Sequence, residues 1–316
     1  MKKVLITTPT FAKYSEAALQ CLRDGGLEIV RTTQPVAREA DVLACVDDDT
    51  VAIIAGLEPI TKAVIDSAPA LKVVAKHGIG VDNIDLNAAK ERGVRVVNAP
   101  GTNSEAVADL AIGFMFALAR RIPDASARLR AGEFPRMIGK SVWGATLGII
   151  GMGMIGKAVA RRGRGLNMPT LAYDPFFDQA FADANGVRKA TLDEVLRNAD
   201  FVTIHLPYME QTKNLIGKDE LAKMKSTAYL INTARGGIVD EKALYDTLYN
   251  HKIAGAAIDV FSKEPPVGSP LLSLLNTITT PHMGAYTEEA LQLTSEFVAK
   301  VVLEVLNGNK PSCTIV

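Results

Sequence analysis

The feature that most constrains this chain is a junction at residue 150. There the continuous apolar run Thr146-Leu147-Gly148-Ile149-Ile150 passes directly into Gly151-Met152-Gly153-Met154-Ile155-Gly156, and then into the helical pattern Lys157-Ala158-Val159-Ala160. An unbroken apolar run of this kind is a strand covered on both faces, which calls for a parallel sheet. The three glycines have separate uses. The first permits a tight turn, the second lets backbone approach a pyrophosphate, and the third lets helix and strand pack closely, with the phosphates at the positive helix end. The same spacing occurs in glycine-rich turns of many α/β proteins, so a further residue must decide. The next strand pattern, Thr170 to Tyr173, ends at Asp174, roughly 20 residues on, where a carboxylate can grip a ribose 2′-hydroxyl. That carboxylate repels the 2′-phosphate of NADP. The residues therefore read as an NAD site made of Gly151, Gly153, Met154, Ile155, Gly156, Asp174 and Pro175.

The alternation around this junction extends through the chain. Before it come the apolar runs Val4 to Ile6, Leu27 to Val30, Val51 to Ile54, Leu71 to Ala75 and Val94 to Val97, separated by helical patterns such as Tyr14 to Arg23 and Thr61 to Ser67. After it come Phe201 to Ile204, Ala228 to Ile231, Gly255 to Ile258 and Thr277 to Thr279. Strands alternating with helices make doubly wound parallel sheets. With 316 residues, and a prior of roughly 150 per domain, two domains are expected. The fold class is α/β, with two doubly wound, Rossmann-like lobes and a cleft between them. A long helical pattern from Ser104 to about Arg121 reads either as a spine between lobes or as a core helix of one lobe, and Ser104 can cap it. The last helical pattern, Glu288 to Leu306, can return to the first lobe.

Charge is balanced, 35 basic against 35 acidic residues, so no basic field is available for nucleic acid or an anionic membrane surface. The opening Met-Lys-Lys-Val-Leu-Ile-Thr-Thr-Pro is too short in its apolar part for a signal peptide, and no run approaches the length of a membrane helix. Cys21, Cys45 and Cys313 have neither disulfide arithmetic nor metal-ligand spacing, which fits a reducing, cytoplasmic setting without a metal.

Three further residues stand at strand ends or in loops of the second lobe. Arg235 follows an apolar strand and precedes two glycines that leave space around it; its guanidinium fork suits a substrate carboxylate. Glu264 lies in Lys-Glu-Pro-Pro and His282 in Thr-Pro-His-Met-Gly-Ala. Singly, each has an ordinary surface or structural reading. Together they supply what hydride transfer at a carbinol carbon needs: a group that exchanges the hydroxyl proton, a carboxylate that fixes the imidazole tautomer, and a cation that orients the acid. The nicotinamide carries the redox step.

The chain resembles the D-isomer-specific 2-hydroxyacid dehydrogenases, most of all their phosphoglycerate dehydrogenase branch. The likeness runs from Lys72 to Thr287 through Lys76 to Asp85, Asn98 to Ser104, the glycine loop, His205-Leu206-Pro207, Asn232 to Gly237, Ala257 to Phe261 and Pro281 to Ala285. It implies that Arg235, Glu264 and His282 are catalytic and that Lys76, Gly78, Ile79 and Gly80 bind substrate with Arg235 and His282. It also implies that His205, Pro207, Thr212, Thr233, Ala234, Asp259 and Gly284 line the cofactor, Asp259 receiving the nicotinamide carboxamide. A substrate-binding domain of residues 1–100 plus 288–316 and an NAD-binding domain of residues 101–287 follow. So does a homodimer that exchanges the long helix and the neighbouring segment around Arg120 to Val142 across its interface.

Two departures bear on the substrate and cofactor. Position 154 is methionine where the family commonly has arginine beside the pyrophosphate. Ala55-Gly56-Leu57-Glu58 replaces a loop in which phosphoglycerate-specific members often carry arginine, and Glu58 is expected to repel a phosphate. A partner's Arg128, Arg130 or Arg136 can replace that cation. The sequence stops at Val316, so the serine-sensing domain of many phosphoglycerate dehydrogenases is not expected. The alternatives are a reductase of glyoxylate, hydroxypyruvate or another short 2-keto acid and, outside catalysis, an NAD-sensing corepressor. A formate dehydrogenase is disfavoured by Glu264, where those relatives carry glutamine.

Overall fold

The computed structural model describes residues 1–32 and 38–316. They form two compact units, Met1–Asn103 with Ala285–Val316, and Ser104–Gly284.

The first unit winds β1 (Lys3–Ile6), α1 (Ala17–Asp24), β2 (Glu28–Arg31), α2 (Glu39–Leu43), β3 (Thr50–Ala55), α3 (Lys62–Asp66), β4 (Val73–Lys76), α4 (Leu86–Glu91) and β5 (Arg95–Val97). Its five strands are parallel in the order β2-β1-β3-β4-β5. β3 and β4 are buried throughout, which is why their sequences read as unbroken apolar runs. Thr61 and Asp85 cap α3 and α4 by accepting the amides of Val64 and Ala88.

The second unit opens with α5 (Ser104–Ala119) and α6 (Ile122–Arg130), then alternates β6 (Leu147–Ile150), α7 (Met154–Gly165), β7 (Thr170–Tyr173), α8 (Gln179–Asn185), β8 (Val187–Lys189), α9 (Leu192–Asn198), β9 (Phe201–Ile204), α10 (Lys218–Leu221), β10 (Tyr229–Asn232), α11 (Glu241–Tyr249), β11 (Gly255–Ile258) and β12 (Thr277–Thr279). Seven parallel strands lie in the order β12-β11-β10-β9-β6-β7-β8. The order reverses beside β6, the strand that feeds the glycine loop, and such a switch point is where an open α/β sheet binds its ligand.

Of the two readings of the long helix, α5 takes the second: it packs on α7 and β10 within this unit and buries more than half of its residues. Ser104 is its first helical residue and not its cap, and the Ser104 hydroxyl is buried with no partner among the described residues.

The chain ends with α12 (Glu288–Leu306), capped by Thr287, which accepts from the Ala290 amide. α12 returns to the first unit and packs on α1 and β4. The tail then runs antiparallel to β5, with Ile315 donating to Val96, so this sheet edge is covered.

Candidate active site and cofactor site

The glycine loop has the geometry its spacing calls for. Gly151 has φ +100°, and a Cβ there would lie 2.7 Å from the His205 carbonyl, so only glycine lets the chain leaving β9 pass over this turn. A Cβ at Gly156 would lie 2.0 Å from the Gly151 oxygen, which closes helix α7 onto β6. Gly153 differs. It begins α7 with extended backbone, without a side-chain cap, and a Cβ there would meet nothing within 4 Å. The protein does not itself fill this place, as expected where a pyrophosphate approaches the amides at a helix end. The Asp174 carboxylate is fixed beside the loop, one oxygen accepting from Met152 N at 2.6 Å and the other from Phe176 N at 2.7 Å. Pro175 is exposed, Ile155 half-buried, and Met154 exposed where the family has its arginine.

The loops beyond β9 and β10 extend this face. The His205 ring bonds Thr203 Oγ1 through Nε2 at 2.9 Å, while its Nδ1 and the buried Thr233 hydroxyl have no partner among the described residues. Two such orphans, His205 against the glycine loop and Thr233 past the end of β10, suit a polar ligand, which supports the fit of the dinucleotide. Burial lowers the His205 pKa to about 3, so the ring is neutral. Thr212 does something simpler. Its hydroxyl donates to Pro207 O at 2.8 Å and accepts from Met209 N at 2.8 Å, which locks the exposed 207–212 turn and leaves the hydroxyl little for a cofactor.

After β10, Asn232 brackets the turn, accepting from Ala234 N and donating to Arg235 O. Ala234 is buried beneath it. The two glycines after Arg235 do not simply clear space around the guanidinium. A Cβ at Gly236 would lie 2.0 Å from the Phe261 carbonyl carbon, and one at Gly237 would lie 2.9 Å from the Tyr208 ring. Gly237 lets the Arg235 turn lie against the 207–212 turn, and Gly236 lets it lie directly against the segment that carries Glu264. There Glu264 Oε1 accepts from Phe261 N at 3.0 Å and Oε2 meets His282 Nδ1 at 2.8 Å. A carboxylate only accepts, so Nδ1 carries the proton and Nε2 is left to exchange one with a ligand. Burial pushes the Glu264 carboxyl up, but the bonds from His282 and Phe261, with the nearby charges of His282 and Arg235, outweigh it and hold the carboxyl below its usual range.

His282 sits in the left-handed region at φ +52°, held by its amide donating to Asp259 O and Thr280 O. Asp259 carries this loop. Almost fully buried, its carboxylate accepts from Thr280 Oγ1 at 2.6 Å, Met283 N at 2.8 Å and Gly284 N at 2.9 Å. Both oxygens thus serve the His282 loop, a use the sequence reading missed because it depends on contacts across two strand ends.

In the first unit, Gly78 has φ +149° and its carbonyl accepts from Ala99 N at 2.8 Å, while the Ile79 carbonyl accepts from Asn98 Nδ2 at 2.8 Å. With those carbonyls tied back, the Ile79 and Gly80 amides donate to no acceptor among the described residues. The Lys76 ammonium is buried and donates to Gly56 O and to Asn83 Oδ1 at 2.8 Å. Glu58 corrects the sequence reading: it does not face outward to repel an anion, but is buried, accepting from Gly56 N at 2.7 Å and from the Thr7 hydroxyl.

Residues 112–284 match the profile of the D-isomer specific 2-hydroxyacid dehydrogenase, NAD binding domain. The chain belongs to this family. Over 311 residues it is 42% identical to a D-3-phosphoglycerate dehydrogenase of Methanocaldococcus jannaschii, covering 98% of this chain and 58% of that one. It is 41% identical over 261 residues to a glyoxylate reductase of Korarchaeum cryptofilum, covering 80% of this chain and 79% of that one. The solved TT0316 protein of Thermus thermophilus superposes with a TM-score of 0.89 at 36% identity, covering 99% of this chain and 100% of that one. The chain spans little more than half the length of the phosphoglycerate dehydrogenases it matches. As a dehydrogenase-family NAD-binding domain, the second unit takes NAD as its cofactor, which agrees with the open cradle at Gly153 and the acid at 174.

Proposed function

We propose that the chain is an NAD-dependent oxidoreductase acting on a small 2-hydroxy or 2-keto acid. The observation that carries the proposal is the 2.8 Å pair of Glu264 and His282, set within the same unit as the glycine loop and beside the charge of Arg235. When bound, the nicotinamide supplies or accepts the hydride at C2. In the second unit the Arg235 guanidinium is the group that suits the substrate carboxylate, and in the first unit the Ile79 and Gly80 amides next to Gly78 are the groups that suit it. In reduction, His282 Nε2 delivers a proton to the forming alkoxide; in oxidation it takes the hydroxyl proton. Glu264 keeps Nδ1–H in place through both directions. His205, Pro207, Thr212, Thr233, Ala234, Asp259 and Gly284 border the cofactor with the glycine loop and Pro175. An intact proton-exchange pair favours catalysis over NAD sensing alone.

Substrates are proposed to be short and unphosphorylated. A phosphate carries nearly two charges and asks for an arginine or two lysines. The loop after β3 offers none, and the Lys76 ammonium is already engaged. Arg128, a candidate from a partner chain, is paired with Glu133 at 2.6 Å. Steady-state turnover of NADH with glyoxylate, hydroxypyruvate and phosphohydroxypyruvate tests this. The unphosphorylated acids should be at least as efficient, and an advantage of about tenfold for phosphohydroxypyruvate would overturn the assignment.

The protein is proposed to act as a homodimer in a reducing, cytoplasmic compartment. Ile122, Leu129, Phe134, Ile138 and Trp143 are exposed along one segment, large apolar side chains that an interface with a second copy would cover. Near α6 a cavity of about 520 Å³ is lined by Leu118, Tyr249, Leu275 and Ile278 among others. All three cysteines are free.

A further inference from the structure

The first unit holds its substrate-side loops through a residue far from them in sequence. Ser295 lies on α12, fully buried, and its hydroxyl has three neighbours: it donates to Leu291 O at 2.7 Å, accepts from Ala12 N at 3.0 Å, and meets His77 Nε2 at 2.9 Å. A hydroxyl has one proton, and here the Leu291 carbonyl takes it. Toward Ala12 and His77 the oxygen therefore accepts, so His77 carries its proton on Nε2, and its Nδ1 faces the Thr10 hydroxyl at 3.4 Å. Burial lowers the His77 pKa to about 4, so the ring is neutral at pH 7.

The two loops gathered by this one oxygen are those after β1, reached through Ala12, and after β4, reached through His77. β3 lies between those strands in the sheet, so the strands themselves do not pair; their loops touch where the His77 ring meets Thr10 and, edge-on, Phe11, and Ser295 adds a hydrogen-bond acceptor shared by both. His77 is the residue before Gly78, whose carbonyl and that of Ile79 are gripped from the other side by Ala99 and Asn98. The neighbouring Thr294 hydroxyl donates to Thr102 Oγ1 at 2.8 Å, tying in the loop after β5 as well. Two adjacent hydroxyls on α12 thus collect three strand-end loops.

We propose that Ser295 is a positioning residue for substrate binding, its hydroxyl setting the Gly78-Ile79-Gly80 amides through His77. The inference rests on the proposed function, in which those amides receive the substrate carboxylate. Removing the hydroxyl strands the buried Ala12 amide, leaves the His77 ring only its bond with the Leu291 backbone on this side, and lets the His77 end of the loop shift, which weakens a contact made equally in ground and transition states. Its signature is a Michaelis constant that rises while turnover does not fall.

The experiment uses the full chain with NADH and hydroxypyruvate. Ser295→Ala should raise KM for hydroxypyruvate about tenfold, with kcat and KM for NADH changed by less than about threefold. Ser295→Thr restores the hydroxyl and should recover most of the loss. A wild-type KM in Ser295→Ala, or a fall in kcat with KM unmoved, would overturn the proposal. Nitrogen NMR of the wild-type His77 ring supplies an independent reading that does not depend on either variant folding. The Nε2–H tautomer is expected at pH 7, and the Nδ1–H tautomer would overturn the Ser295 contact. Wild-type protein that turns over no 2-keto acid would contradict the proposed function, and the tautomer would still decide the contact.

Discussion

The two units solve one problem by different chemistry. Each must hold irregular loops steady at the carboxyl ends of a parallel sheet. The second unit adds missing side chains to its side-chain hydrogen bonds: Gly151, Gly156 and Gly236 let backbone segments approach where a Cβ would come within 2.0 to 2.7 Å of another residue's carbonyl. The first unit does it mainly with side chains: Glu58 on Thr7, Asn83 on Lys76, Ser295 on His77, Thr294 on Thr102. A glycine acts at its own position in the chain, so its motif is compact and recognisable. A hydrogen-bonded side chain can act over any sequence distance, and the Ser295 contacts span 283 and 218 residues.

If the second unit carries the proton chemistry and the first unit only positions, the largest effects belong to the second. His282→Ala should lower kcat by about 10²-fold to 10⁴-fold, the ordinary worth of a positioned proton transfer, with NADH affinity nearly unchanged when titrated by fluorescence. Full activity in that variant would remove the difference between the units.

A smaller effect is expected where the second unit does rely on a side chain. Asp174 is held by two loop amides beside the cradle, so NAD should be preferred to NADP by well over tenfold in kcat/KM. Asp174→Ala should narrow that gap by roughly tenfold, because a carboxylate facing a phosphate is a repulsive element. Equal use of the two cofactors by the wild type would contradict the assignment.

How much of this was legible follows from the same contrast. The strand runs Thr170 to Tyr173, Phe201 to Ile204 and Gly255 to Ile258 stand in the structure with the bounds their largely apolar stretches give, because burial on both faces leaves no charged residue inside them. β8 left no such run. It is a sheet edge in which Val187 is buried while Arg188 and Lys189 face water. The motifs drew attention to Glu264 and His282, and the two side chains meet. Asp259's grip on the His282 loop and Thr212's turn could not be read, since each depends on which backbone groups fold back upon it. Glu58 was misread for a related reason: an acid in a loop looks exposed until Thr7 and Gly56 are seen to enclose it. Ser295, in an amphipathic helix, carried no signal at all.

The smallest expected effect is one the units share, since each buries a neutral histidine. The folded-state values, about 4 for His77 and about 3 for His205, lie below the ordinary 6.5, and burial is the main cause of both shifts. Between those values and 6.5 the unfolded chain binds protons that the folded chain refuses, so stability is fully present above pH 6.5 and is lost as pH falls toward 4 and then 3. Thermal midpoints measured from pH 7.5 to 4.5 should fall in wild type and fall less steeply in His77→Gln. An identical slope in both would place the acid sensitivity elsewhere.

The central claim is that a hydride reaches C2 of a short 2-keto acid while His282 supplies the proton. Incubating the protein with hydroxypyruvate and NADH carrying deuterium at both C4 positions of the nicotinamide tests it most directly, with the product read by mass spectrometry. The account predicts a 2-hydroxy acid bearing one deuterium at C2, formed by wild type and nearly abolished in His282→Ala. A product without deuterium at C2, or equal labelling rates in the two proteins, would contradict it.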